Sequence, residues 1–127
     1  MFTVIIQRGF SAIHRLRLAD GTIEPQHGHD WVVRAYFSRP SLSDTGMVLD
    51  FADAQAALRT VVEPLRYGDL NSFEPFSEMN PTAEVVAKFI FDGLVRLGFD
   101  TLRRVEVTEA PDCVAAYEPI QAATQNE

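Results

Sequence analysis

Histidine is scarce in this 127-residue chain, with three residues, His14, His27 and His29, all near the N-terminal end. Cysteine is scarcer still. Cys113 stands alone, which excludes an internal disulfide framework and any metal centre built on several thiolates, and fits a reducing compartment. Lys88 is the single lysine, the other ten basic residues are arginines, and 18 acidic residues bring the formal net charge to -7. That balance argues against a nucleic-acid or anionic-membrane partner, because both call for a basic face. No apolar run approaches the ~18 residues a membrane span needs. The opening MFTVIIQRG lacks the charged start and long apolar region of a secretory signal, so the expectation is a soluble, cytoplasmic protein with no membrane partner. Repeats, low-complexity tracts and linkers are missing too. Residues 1–119 are therefore read as one domain, followed by a polar C-terminal tail at 120–127.

What is present is an ordered set of elements. Residues 2–18 and 29–38 are rich in β-branched and aromatic side chains, and Ala19-Asp20-Gly21 between them is a turn signal, which predicts two antiparallel strands. Apolar residues at three- and four-residue steps from Phe51 to Leu65 predict a helix over 50–66 with Asp50 as N-cap. A loop from Gly68 to Pro81 leads through Asn80-Pro81-Thr82 into a second amphipathic helix that Gly98 ends. Leu102–Thr108 and Cys113–Glu118 then read as strands around a turn at Pro111-Asp112. The order ββααββ predicts an α+β fold, with both helices on one face of an antiparallel sheet.

The histidines fall where such a fold would gather them. On a strand, alternate residues share a face, so His27 and His29 project together with Gly28 leaving room between them, and His14 can stand opposite in a hairpin. Three neutral imidazoles without a fourth protein ligand describe a catalytic zinc site with an open position. The alternative for the His-Gly-His tripeptide alone is a pair of hydrogen-bonding surface residues. Arg15 and Arg17 flank His14, and Arg34 and Arg39 follow His29, which suits a phosphate-bearing ligand if they are not simply solvated strand faces.

Six motifs in sequence resemble the 6-pyruvoyltetrahydropterin synthase family, including the bacterial 6-carboxytetrahydropterin synthases. Phe10-Ser11-Ala12-Ile13-His14 is similar to F-x-A-x-H, His27-Gly28-His29 to H-G-H, and Gly46-Met47-Val48-Leu49-Asp50-Phe51 to G-x-[VL]-x-D-F. Leu70-Asn71, Pro81-Thr82-Ala83-Glu84 and Val105-Glu106-Val107-Thr108-Glu109 are similar to L-N, P-T-[AS]-E and V-x-V-x-E. The resemblance implies a tunnelling fold, in which ββααββ subunits associate, usually as a homohexamer, so that their sheets close into a β-barrel with pockets between subunits. It implies zinc on His14, His27 and His29, and Glu109 as the substrate-binding residue, its carboxylate accepting two N–H bonds from a pterin ring; without the motif Glu109 would read as a solvated carboxylate at a strand end. The implied substrate is 7,8-dihydroneopterin triphosphate, and the implied activity is that of a carbon-oxygen or carbon-carbon lyase.

Two departures bear on catalysis. The family's catalytic cysteine falls at Ile23, and its Asp-His pair at Arg66-Tyr67. With all three histidines given to zinc, no imidazole remains for acid-base work. Glu24, in Glu24-Pro25-Gln26-His27, resembles a subgroup in which glutamate replaces the cysteine and the product becomes 6-hydroxymethyl-dihydropterin for folate synthesis. Glu24 is thus the candidate catalytic base, or else a loop glutamate in solvent. Asp69 reads as a further candidate or a turn cap, and Tyr67 as a further candidate or a residue packed against the helix. Cys113 reads as a small buried residue rather than a displaced nucleophile. Three functions stay open: the standard lyase, the glutamate variant, and a zinc- and pterin-binding paralogue without turnover.

Overall fold

The computed structural model describes residues 1–121; residues 122–127 of the expected tail lie outside the described part. In chain order the elements are β1 (Phe2–His14), β2 (His27–Arg39), α1 (Phe51–Val62), β3 (Gly68–Asp69), α2 (Ala83–Arg96), β4 (Leu102–Ala110) and β5 (Cys113–Tyr117), with single 3-10 turns between α1 and α2. The sheet runs β3-β1-β2-β4-β5. All pairs are antiparallel except β3, two residues alongside Ala12 and Ile13 of β1. The expected α+β architecture therefore stands, with β3 added inside what reads as loop. No described helix is long and apolar enough to cross a membrane.

Two boundaries differ from the sequence pattern for physical reasons. The first strand ends at His14, not residue 18, and the second begins at His27, not residue 29. Between them the chain leaves the sheet as a small hairpin bridged at Arg17 and Ile23, where the Leu18 N–H donates to the Thr22 carbonyl (2.7 Å) and Gly21 turns at φ +88°. The helix expected over 50–66 stops at Val62, because Pro64 has no N–H to continue it, and the chain tightens into a 3-10 turn over Glu63–Leu65. Both helix starts are capped by their own side chains: the Asp50 carboxylate accepts from the Ala52 N–H (2.8 Å) and the Thr82 hydroxyl from the Val85 N–H (3.2 Å).

The core lies between one sheet face and the two helices. Trp31, Val33, Ala35 and Phe37 of β2 are fully buried, and they alternate with residues on the open face such as Arg34 and Tyr36. His27 and His29 share the parity of Trp31, and His14 that of Phe10 and Ala12. The histidines thus extend the core face to one end of the sheet, below the start of α2.

The helices meet closely at Gly93 of α2, where an added Cβ would stand 2.9 and 3.1 Å from the two methyls of Val61 on α1. Gly93→Ala removes a glycine from a helix interior, worth ~1 kcal/mol in favour of alanine. The clash should outweigh that gain, because Val61 is β-branched and stiff in a helix and overpacking costs ~1–3 kcal/mol. Net destabilisation by Gly93→Ala in denaturant unfolding is expected, with recovery in the Gly93→Ala/Val61→Ala double variant; a stabilised single variant would show that the helices can part without cost.

Candidate functional site

His14 closes β1 directly across from His27, which opens β2, and His29 stands two residues further along the same face. Their ring centroids are 4.7 to 5.2 Å apart, and one nitrogen from each lies within 4.8 Å of the others. Backbone carbonyls set the tautomers. Nδ1 of His14 is 2.9 Å from the Pro81 carbonyl oxygen, and Nδ1 of His27 is 2.9 Å from that of Pro25. A carbonyl oxygen only accepts, so each Nδ1 carries the proton and each Nε2 keeps its lone pair. The Nε2 atoms of His14 and His29 are buried with no hydrogen-bond partner. Below them Trp31 packs edge-on, its centroid 4.9 Å from His14 and 5.6 Å from His29, and its indole N–H donates to the Ala12 carbonyl (3.2 Å). Burial holds the His29 pKa below its ordinary value, against the nearby Glu109 charge, which favours the neutral imidazole a metal ion needs.

Two carboxylates flank the cluster. Oε1 of Glu109, on β4, is 3.2 Å from Nε2 of His14 and 4.0 Å from Nε2 of His29. Oε1 of Glu24 is 3.5 Å from Nε2 of His27 and accepts the Leu16 N–H at 3.0 Å. Glu24 is thus not a loop glutamate in solvent but part of the group. The hairpin that carries it is held by two asparagine clamps. Asn71 accepts from the Arg15 N–H (2.8 Å) and donates to the Arg15 carbonyl (2.9 Å), and Asn80 does the same to Arg17 at 2.8 and 3.0 Å. Sequence reasoning misses these clamps and the Pro81 carbonyl. The quoted Leu70-Asn71 and Asn80-Pro81-Thr82 runs were the signal, but no residue type announces a backbone contact.

Other candidates lie elsewhere. Both oxygens of Asp69 cap the following turn, accepting from the Asn71 N–H and the Ser72 hydroxyl at 3.0 Å each, so Asp69 is a turn cap. Tyr67 is 75% exposed and does not pack against a helix. It sits at φ +55° with its N–H on the Ser11 carbonyl, its ring beside the Arg66 guanidinium (4.6 Å), lining a cleft with Ser11, Ile13, Asp30 and His29. Cys113 is exposed rather than buried, and lines a cleft of about 460 Å³ with Leu16, Thr82, Glu84 and Glu109. Arg34 lies on the open sheet face and Arg39 at the far end of β2. Of the four arginines only Arg15 and Arg17 are beside the histidines.

The family model described as 6-pyruvoyl tetrahydropterin synthase matches residues 3–120. The chain belongs to this family. It is 31% identical over 124 residues to the 6-carboxy-5,6,7,8-tetrahydropterin synthase of Synechocystis sp., covering 92% of this chain and 93% of that one. To the Bacillus subtilis enzyme of the same name it is 32% identical over 125 residues, covering 86% and 80%. Among solved structures, the 6-pyruvoyl tetrahydropterin synthase of Caenorhabditis elegans superposes with a TM-score of 0.79 at 25% identity, covering 94% of this chain and 98% of the other. The Plasmodium vivax synthase superposes at 0.71 and 17% identity over 93% and 97%, a likeness of fold. Membership assigns the pterin-lyase class of function and accounts for a small sheet whose end carries polar chemistry instead of core.

Proposed function

We propose that this member is a zinc-dependent lyase acting on the side chain of 7,8-dihydroneopterin triphosphate. The supporting observation is the convergence of three Nε2 atoms, two of them buried and without a partner, beside a cleft floored by a carboxylate. A buried acceptor left unpaired costs ~1–3 kcal/mol, and a cation between the rings removes that cost. His14, His27 and His29 would hold the ion, and three neutral imidazoles with an open position suit zinc. When bound, zinc supplies a Lewis acid that stabilises negative charge developing on the substrate side chain.

The chain's own residues do the remainder. Glu24, fixed by the Leu16 N–H, is placed to take a proton from the side chain beside the cluster. The Glu109 carboxylate can accept two parallel N–H bonds from a pterin ring lying in the cleft. Arg15 and Arg17, exposed on the same hairpin, suit the triphosphate. The position of Glu24, with exposed Ile23 where the family has cysteine, favours the glutamate-variant product, 6-hydroxymethyl-dihydropterin, as the second reading. In the Plasmodium vivax synthase, alanine and cysteine variants of a glutamate described as a catalytic residue have been solved.

Incubating the zinc-loaded protein with 7,8-dihydroneopterin triphosphate and identifying products by mass spectrometry tests the reading. A 6-carboxy or 6-pyruvoyl product supports the standard lyase and a 6-hydroxymethyl product the glutamate variant. Unchanged substrate that nonetheless binds would leave a pterin-binding paralogue. A homo-oligomer, a hexamer by resemblance, belongs to the same proposal: Ile5, Ile13 and Val114 are exposed on the open sheet face, and β5 has one unpaired edge among the described residues.

A further inference from the structure

Glu109 stands between the cleft and the histidines, and its geometry toward them is specific. Oε1 lies 3.2 Å from Nε2 of His14, yet that nitrogen has no hydrogen-bond partner: the two atoms are close but not aligned for N–H···O. Nε2 of His29, 4.0 Å from the same oxygen, is likewise unpartnered. Facing lone pairs repel unless a cation lies off the line between them. Two ligands of one tetrahedral ion with bonds of ~2.0–2.1 Å stand about 3.3 Å apart without pointing at each other. The Glu109–His14 contact has that spacing and that misalignment.

We propose that Glu109 is the fourth ligand of the metal ion when the cleft is empty, closing the site, and that a pterin ring entering the cleft withdraws it. This rests on the metal and pterin reading above. To accept two parallel N–H bonds from a ring, the carboxylate must turn both oxygens toward the cleft, and Oε1 now faces the histidines. Ring recognition and opening of the metal's fourth position then become one event. A substrate with the correct ring uncovers the position that its own side chain fills, and a small polyol without a ring meets a closed site. The exchange is a change of partners by one carboxylate, and no covalent bond is made or broken.

Cobalt(II) in place of zinc reports this through its visible absorption bands, which depend on the number and kind of ligands and need no turnover. Glu109→Gln should change the bands of the cobalt protein and weaken cobalt binding by ~10–100-fold in competition with a chromophoric chelator. Adding 7,8-dihydropterin, whose ring carries no side chain to reach the metal, should move the wild-type bands toward those of Glu109→Gln. Identical bands and cobalt affinity in wild type and variant overturn the fourth-ligand assignment. Ring binding seen by equilibrium dialysis without any band change overturns the withdrawal. Failure of the wild type to take up cobalt at all overturns the metal reading itself, and is distinguishable because no bands appear. If Glu109→Gln does not fold, Glu109→Asp keeps the charge while drawing the oxygens back by one methylene, and it should show the same change of bands.

Discussion

Glu24→Gln should lose ~100-fold or more in turnover on 7,8-dihydroneopterin triphosphate, while its zinc content and ring affinity stay at the wild-type level. The substitution is nearly isosteric. The amide oxygen of glutamine can still accept the Leu16 N–H that Glu24 accepts at 3.0 Å, so the hairpin, Arg15 and Arg17 keep their places. What is lost is the charge and basicity of the carboxylate, whose same oxygen lies 3.5 Å from Nε2 of His27. A structural role for Glu24 would therefore leave Glu24→Gln active, and a proton-transfer role would not, which makes glutamine more informative here than alanine. Product analysis on both proteins, with metal content measured alongside, decides it. Equal rates would make Glu24 a spectator. Ile23→Cys is the companion: Ile23 is 64% exposed at the family's cysteine position, but the Asp-His partner of that cysteine is replaced by Arg66-Tyr67, which supplies no imidazole. Cysteine alone should restore little.

The sheet and helices were legible because each element declares itself by a period or a cap. The helical stripe from Phe51 and the Asp50 cap place α1, and strand alternation puts His27 and His29 on one face. The same alternation also contained a fact that is easily passed over: the histidine face is the core face, since Trp31, Val33 and His29 have one parity. Where the pattern failed, a contact between distant segments had replaced a local rule. Residues 15–18 look like strand, but the N–H groups of Arg15, Leu16 and Arg17 go to the side chains of Asn71, Glu24 and Asn80, and that of Leu18 to Thr22 in the small hairpin. β3 is only two residues long and pairs with β1 in parallel, which no local turn signal marks. Cys113 looked like core because a lone cysteine usually is. It is exposed because β5 ends the sheet and nothing among the described residues covers its start. The three histidines could be placed near one another from sequence, but their tautomers could not, because those depend on the carbonyls of Pro25 and Pro81.

Removal of the metal should separate two roles that His14 combines. In wild-type protein, chelation should lower the thermal midpoint, because an ion held at ~1,000-fold above its dissociation constant contributes ~4.1 kcal/mol to the folded state. His14→Ala and His27→Ala should both bind zinc more weakly than the roughly one equivalent per subunit expected of the wild type, and be stabilised less by it, since each removes one of three imidazoles. They should differ in what is left. The His27 side chain is 38% exposed, so its truncation costs mainly the metal. His14 is fully buried, packs edge-on against Trp31, and satisfies the carbonyl of Pro81 at the start of α2. Its truncation leaves that carbonyl unpaired, at ~1–3 kcal/mol, and opens a cavity beneath the helix. Metal-free His14→Ala should therefore unfold at a lower temperature than metal-free His27→Ala. Zinc bound by His14→Ala as tightly as by the wild type, or equal midpoints for the two stripped variants, would refute the double role. The reason for expecting it is geometric: one imidazole nitrogen is committed to the fold through Pro81, and that commitment leaves the other nitrogen bare for a metal.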